Sequence, residues 1–210
     1  MKSCVILLGG DVTVTDRLKD QCSHALAIAA DSGIRHADAL GLTVDLWMGD
    51  FDSATPALHE RYKNVPRIPF PQDKAKTDGE LAVDEAIRRG CTRFVLVGAF
   101  GGTRFDHAFL HAFQALGLKQ RGFDVLLADG AQEAAPILPG ESDFALEPGT
   151  LFSIIGFGPL TGLSIAGAKW PLENRDVATG LSLTMSNIAA GPVTVALKGG
   201  QALFIAGSSA

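Results

Sequence analysis

The sequence predicts an α/β N-terminal domain with a mostly parallel sheet, followed by an all-β, sandwich-like C-terminal domain. Two observations lead to this prediction. Short apolar runs alternate with helix-length segments over the first two-thirds of the chain, and helical periodicity disappears after about residue 133. We therefore expect one domain over residues 1–132 and a second, smaller domain over residues 133–210.

The strands of the first domain are predicted from apolar runs at residues 5–8, 26–30, 46–48, 94–97 and 125–128. Each run is too short for a helix and lacks polar alternation, which is typical of strands buried on both faces of a parallel sheet. Several runs end in glycine or aspartate, and ligands of open α/β sheets bind beyond the carboxyl ends of the strands. The residues that follow these runs could therefore line a single crevice.

Helices are predicted between these strands at residues 15–21, 34–40 and 56–62. Thr77 and Glu80 have the spacing of a capping box at the start of the next helix, which Gly90 ends. A further helix is predicted from about residue 108 to 119.

The second domain is predicted from β-rich runs at residues 151–157, 181–185, 193–197 and 202–206. Prolines interrupt this part of the chain, and turn signals such as residues 147–149 and 198–200 recur between the runs. Their spacing of roughly 8–12 residues is typical of an all-β sandwich.

The composition argues against several classes of protein. A net charge of -5 without a basic cluster argues against nucleic acid as a partner. No apolar stretch approaches the roughly 18 residues of a membrane span, so we expect a soluble, cytoplasmic protein with no membrane partner. Cys4, Cys22 and Cys91 lack the spacing of metal ligands and are expected to be reduced thiols.

Asp50 and Asp52 follow the third predicted strand, with one residue between them. On an extended backbone such side chains point the same way, so the pair could hold a divalent cation such as Mg²⁺. Acidic residues are also common in turns, and these two could equally cap a loop or the next helix. From this stretch alone both interpretations stay open.

A glycine-rich segment, residues 98–107, follows a later predicted strand. Gly101 and Gly102 would let the backbone approach phosphate oxygens, and Arg104 could make a bidentate contact with them. The segment matches neither the P-loop nor the dinucleotide-binding pattern, and glycine also ends strands for steric reasons. A phosphate site is therefore one of two open interpretations.

Asp106 and His107 close this segment. They could form an acid–base pair for catalysis. They could equally form the first turn of the following helix, where an acid interacts favourably with the helix dipole. The residues alone favour the structural interpretation for His107.

Taken together, these motifs resemble those of the thiamine pyrophosphokinase family. The resemblance covers nearly the whole chain, with motifs in the family's order at residues 30–33, 49–53, 76–82, 98–107, 167–172 and 186–187. It implies an α/β domain that binds ATP and metal, a β-sandwich that binds thiamine, and a homodimer with thiamine at the subunit interface. It also implies transfer of the pyrophosphoryl group of ATP to thiamine, giving thiamine diphosphate and AMP, with Mg²⁺ as cofactor and ATP as co-substrate.

Matched position by position, the resemblance implies roles for individual residues. The implied Mg²⁺ ligands, which would also be catalytic, are Asp50, Asp52 and Asp78. The further catalytic residues would be Arg104 and Asp106. The ATP site would comprise Asp31, Gly33, Gly101, Gly102, Arg104 and His107. The thiamine site would comprise Ser186, Asn187 and Trp170.

The chain departs from the family pattern at two positions. Ala75 stands where members usually carry an acidic residue, three positions before Asp78, and Asp73 could replace it as a metal ligand. Ser32 stands where many members carry a second glycine. The change at Ala75 is the more serious, because the loss of a carboxylate could weaken metal binding.

Two other functions fit parts of the sequence. Without a carboxylate at Ala75, the chain could be a regulator that binds thiamine or a nucleotide but has lost catalysis. An apolar run followed by Asp-x-Asp also suggests a haloacid-dehalogenase-like phosphohydrolase, with Asp50 as nucleophile and Asp52 as acid/base. That class requires Thr or Val at position 54, where this chain has Ala54.

Overall fold

The computed structural model describes residues 1–71 and 75–207, and it confirms an α/β region followed by a β-rich region. The helices in these ranges are α1 Asp16–Cys22, α2 Pro56–Arg61, α3 Asp78–Arg88 and α4 Phe105–Gln120, with a 3₁₀ helix at Asp31–His36. The strands of the α/β region are β1 Ser3–Leu7, β2 Leu26–Ala30, β3 Leu46–Gly49, β4 Arg67–Pro69, β5 Arg93–Val97 and β6 Asp124–Ala128. Those of the β-rich region are β7 Gln132–Ile137, β8 Gly140–Phe144, β9 Leu151–Gly156, β10 Leu160–Ala168, β11 Leu172–Val177, β12 Asn187–Leu197 and β13 Ala202–Gly207.

The α/β region is built on a parallel sheet in the order β4-β3-β2-β1-β5-β6. Its central strands are apolar because helices cover both faces of the sheet. One face packs against α3 and α4 through residues such as Ala82 and Leu118. The other packs against α1 and the 3₁₀ helix through residues such as Leu18 and Ile34. Because these strands are all parallel, their carboxyl ends meet along one edge of the sheet.

The sheet continues into the β-rich region, because β7 pairs antiparallel with β6. β13 and β9 follow in the sheet, and β12 pairs with β9 through Asn187 and Ile188 only. The later residues of β12 pair with β8 and β10, which turns the chain into a second group of strands. A separate apolar core that includes Phe152 and Phe204 fills this region. A domain boundary between residues 132 and 133 remains a prediction.

Two predicted elements are wrong. Residues 34–40, predicted as a helix, form the end of the 3₁₀ helix and a series of turns, while Arg35 and His36 bind the carbonyls of Gly9 and Gly10. Residues 181–185, predicted as a strand, form a turn. Apolar and polar residues alternate there, but the apolar ones are exposed.

Hydrogen bonds of Thr184 attach this turn to strand β9. Its hydroxyl donates a hydrogen bond to the carbonyl of Ile154 at 2.6 Å, and the Ile154 N–H donates to the Thr184 carbonyl at 2.9 Å. The polar side chain, and not its apolar neighbours, is therefore buried.

No helix among the described residues is long and apolar enough to cross a bilayer.

Candidate active site

The ends of β1, β2, β3 and β5 open into one cavity of about 610 Å³. Gly10, Ser32, Asp50 and Gly98 are among the lining residues that follow these strands. The first turns of α3 and α4 complete the wall. The prediction that one crevice collects the residues after several strands is therefore confirmed.

Three carboxylates come together in this cavity. Asp31 follows β2, Asp50 follows β3 and Asp78 begins α3, and one oxygen of each lies within 4.8 Å of the others. Thr77 caps the helix that Asp78 begins, because its hydroxyl accepts the Glu80 N–H at 3.2 Å in the predicted capping box. A set of half-buried carboxylate oxygens is the donor type that Mg²⁺ prefers.

Asp31 has the most constrained carboxylate of the three. Its Oδ2 accepts a hydrogen bond from the Ser53 hydroxyl, whereas its Oδ1 is buried without a hydrogen-bond partner. Burial raises the pKa of Asp31, the Ser53 hydrogen bond opposes that rise, and the nearby charges of Asp78 and Asp50 add to it. A buried, unpaired carboxylate oxygen is costly, and a bound cation would satisfy it. The residues present therefore fit a divalent cation.

Asp31 was predicted at the ATP site and not as a metal ligand, so its place in this cluster was missed. The signal in the sequence was its position directly after a predicted strand. Asp52 lines the cavity but lies outside the close group of three. The extended backbone expected between Asp50 and Asp52 is wrong, because Phe51 has a left-handed φ of 62° and the strand ends at Gly49.

Two further positions, Asp73 and Ala75, were predicted to bear on metal binding. Asp73 lies outside the described residues. Ala75 lines the cavity, so the position where the resemblance implies an acidic residue faces the same space as the carboxylates. Its methyl group supplies no ligand atom there.

The glycine-rich segment forms another wall of the cavity. Gly101 and Gly102 both line it, with left-handed φ values of 68° and 77° that favour glycine. Gly33 is not among the lining residues. A Cβ on Gly33 would lie 2.2 Å from the Leu7 carbonyl oxygen, so glycine is required there for packing against β1.

Arg104 lines the cavity, and its guanidinium group is hydrogen-bonded to Asp106. Its Nε and Nη2 donate to the two carboxylate oxygens of Asp106 at 3.0 and 2.7 Å, and Nη2 also donates to His107 Nε2 at 2.8 Å. The Arg104 hydrogen bonds lower the pKa of Asp106 to about 2. His107 lines the cavity and Asp106 does not, so Asp106 orients the arginine from outside.

His111 also lines the cavity, although no role was predicted for it from the sequence. The His111 Nδ1 lies 3.1 Å from the Ala99 carbonyl oxygen, and burial lowers the pKa of the imidazole. The signal was the spacing of four residues from His107, which places both rings on one face of α4.

The residues predicted to bind thiamine lie elsewhere in the chain. Trp170, Ser186 and Asn187 are not among the residues that line this cavity. Asn187 is buried, and its amide donates to the Trp170 carbonyl at 2.8 Å and accepts from the Trp170 N–H at 3.1 Å. Trp170 itself is 52% exposed. The Asn187 side chain thus holds the backbone that presents the indole ring.

Comparison with known proteins identifies the family. Residues 18–127 match the model of the thiamin pyrophosphokinase catalytic domain, and residues 142–201 match its vitamin B1 binding domain. A thiamine pyrophosphokinase of Bacillus subtilis (strain 168) is 32% identical over 195 residues, which covers 89% of each chain.

Solved structures show the same fold. The crystal structure of thiamine pyrophosphokinase from Bacillus subtilis has a TM-score of 0.83 at 24% identity, with all of both chains covered. Thiamin pyrophosphokinase from Candida albicans has a TM-score of 0.82 at 13% identity, covering 99% of this chain and 89% of the other. The catalytic-domain match spans more than half of the chain. The chain therefore belongs to the thiamine pyrophosphokinase family.

Proposed function

We propose that the cavity at the strand ends is where this chain transfers the pyrophosphoryl group of ATP to thiamine, releasing AMP and thiamine diphosphate. The observation that carries the proposal is the group formed by Asp31, Asp50 and Asp78 in the same cavity as Arg104. Phosphoryl and pyrophosphoryl transfer depends mainly on positioning and on neutralising charge, and these residues suit both tasks.

Asp31, Asp50 and Asp78 would hold Mg²⁺, and Asp52 lines the same cavity. Mg²⁺ bound there supplies charge neutralisation for phosphate oxygens. The unpaired Oδ1 of Asp31 supports this assignment, because no group of the described chain satisfies it.

The other wall binds the phosphates of ATP. The backbone at Gly101 and Gly102 allows close approach of phosphate oxygens, and the first turn of α4 lies next to it. Arg104, which Asp106 orients and which has His107 beside it, would donate to the phosphates of ATP from this wall. Attack of the thiamine hydroxyl at the β-phosphorus then expels AMP.

The thiamine side of the site comes from a second copy of the chain in this proposal, so the working unit is a homodimer. Trp170 and Ser186 are exposed and separate from the cavity of their own chain. Exposed apolar side chains accompany them, with Leu183 and Met185 each 51% exposed. Phe109 on α4 is 57% exposed and offers an apolar partner surface.

The proposal also includes a cytoplasmic location. All of the cysteines, Cys4, Cys22 and Cys91, are buried free thiols. Unpaired thiols of this kind are typical of a reducing compartment.

The test is product formation by the purified protein with ATP, Mg²⁺ and thiamine. We expect AMP and thiamine diphosphate in equal amounts, with both lost in Asp50→Asn and both retained in Asp16→Asn. The second change is the same chemically but falls on a carboxylate that is 98% exposed, on α1. Thiamine binding without turnover would favour the regulator that the loss of a carboxylate at Ala75 suggests. Release of inorganic phosphate without thiamine diphosphate would favour the phosphohydrolase.

A further inference from the structure

Trp47 lies within β3 and has no exposed surface. Its indole nitrogen nevertheless contacts a residue of the candidate active site. The indole Nε1–H donates a hydrogen bond of 2.8 Å to the main-chain carbonyl of Asp31. Trp47 pairs with Ala29 in the neighbouring strand, so this contact reaches across the end of β2. The ring is not among the residues that line the cavity.

Asp31 needs to be held, because its backbone has a left-handed φ of 47°. Residues other than glycine persist in that conformation only when their surroundings hold them. Gly49 allows the necessary close approach, since a Cβ there would lie 3.2 Å from the Asp31 Cβ. The Ser53 hydroxyl holds the carboxylate, and the Trp47 indole holds the main chain.

The direction of the indole N–H is set by the groups around the ring. The Arg67 guanidinium lies 4.5 Å above the ring centroid, and the His59 ring lies 5.2 Å away. Tyr62 packs edge-on at 6.4 Å. These contacts leave the ring no room to turn away from Asp31.

We propose that Trp47 is a positioning residue of the carboxylate cluster: its indole N–H fixes the main chain of Asp31 so that the Asp31 carboxylate meets Asp50 and Asp78. The inference rests on the proposed function, because it assumes that this cluster binds a divalent cation. It adds a buried aromatic donor that never touches the cation or the substrates. Its loss should weaken cation binding without removing any ligand.

The test uses Trp47→Phe, which keeps an aromatic ring and removes the donor. The probe is Mn²⁺, titrated into the purified protein and followed by electron paramagnetic resonance. One hydrogen bond is worth about a factor of ten in an equilibrium constant, so we expect the Mn²⁺ dissociation constant to rise about tenfold. In the enzyme assay, the Mg²⁺ concentration for half-maximal rate should rise similarly, while kcat at saturating Mg²⁺ stays within about threefold.

The matched control is Tyr62→Phe, which changes the same aromatic cluster and leaves the Trp47–Asp31 hydrogen bond in place. We expect its Mn²⁺ affinity to equal that of the unmodified protein. Trp47→Phe with unchanged Mn²⁺ affinity would overturn the inference, even if its thermal stability falls. An unmodified protein that binds no Mn²⁺ would overturn the proposed metal site as well, so the two failures are distinguishable.

A second replacement covers the case in which Trp47→Phe fails to fold. Benzothienylalanine has nearly the shape of tryptophan but carries sulfur in place of the N–H. In a Trp170→Phe background, its incorporation changes position 47 alone, because the chain has two tryptophans. The same background with ordinary tryptophan is the reference. If the protein with benzothienylalanine at position 47 binds Mn²⁺ more weakly than this reference, the inference is supported. Equal Mn²⁺ affinity of the two proteins contradicts it.

Discussion

Replacing Asp31 by Asn should abolish catalysis and, at the same time, stabilise the metal-free protein. The carboxylate of Asp31 lies within 4.8 Å of those of Asp50 and Asp78. At that distance, and with an effective dielectric constant of about 20, two unit charges repel by about 3 kcal/mol. Partial access of solvent reduces each repulsion to about 1 kcal/mol. An asparagine oxygen can still accept the Ser53 hydrogen bond, so the change removes charge and little else.

We therefore expect the metal-free variant to unfold about 2–4 °C higher for each kcal/mol of repulsion removed. The gain should depend on pH. The pKa of Asp31 is raised above its ordinary value of 3.8, so the folded protein loses stability as the pH rises from about 3.8 to that raised pKa, and the full cost of the charge is present above it. The advantage of Asp31→Asn should be absent below about pH 3.8, where Asp31 is protonated in both the folded and the unfolded protein. It should grow as the pH rises toward the raised pKa and stay constant above it.

Thermal unfolding with and without Mg²⁺ is the assay, and Asp16→Asn is the control for a lost surface charge. Mg²⁺ should stabilise the unmodified protein and have little effect on Asp31→Asn. A metal-free variant that is less stable than the unmodified protein at pH 7 would refute the reasoning, because Asp31 would then be a structural residue. Full turnover by the variant would remove Asp31 from the site.

Three other changes test the remaining parts of the site. Arg104→Lys should lower kcat/KM about 100-fold in the coupled AMP assay, because a point charge cannot replace the planar fork at phosphate. Thr77→Ala should lower the free energy of unfolding in urea by about 1 kcal/mol, since it removes the cap of α3. It should also raise the Mg²⁺ requirement, because Asp78 is the next residue. Phe109→Asp should convert the proposed dimer to a monomer in sedimentation experiments and reduce turnover, because it places a charge on an exposed apolar surface of α4.

Each change has a matched control elsewhere in the chain. Arg88→Lys alters a guanidinium that binds Glu85 outside the cavity and should leave kcat/KM unchanged. Thr55→Ala removes the cap of α2 and should leave the Mg²⁺ requirement unchanged. Gln120→Asp adds a charge at the end of α4 and should leave the proposed dimer intact. A change indistinguishable from its control would remove Arg104, Thr77 or Phe109 from its proposed role.

Much of the fold was predictable because its signals are local. β1, β2 and β5 are apolar runs that lack polar alternation, and burial on both faces of a sheet requires that pattern. The capping box of Thr77 and Glu80 depends only on residues three apart, so it could be recognised without a structure. The alternation at residues 181–185 misled because a strand also needs a partner, and the sequence does not say whether one is present.

The sequence by itself determined the family, the order of its motifs and the edge of the sheet where the candidate site lies. Tertiary structure decided which carboxylates meet, because that depends on the register of β2 against β3, in which Ala30 lies beside Met48, and on the left-handed backbone of Asp31. It also decided that Trp47 bonds to Asp31 and that Trp170 lies away from the cavity. Local patterns specify strands and caps through neighbouring residues. Contacts between chain segments far apart depend instead on how whole strands pack.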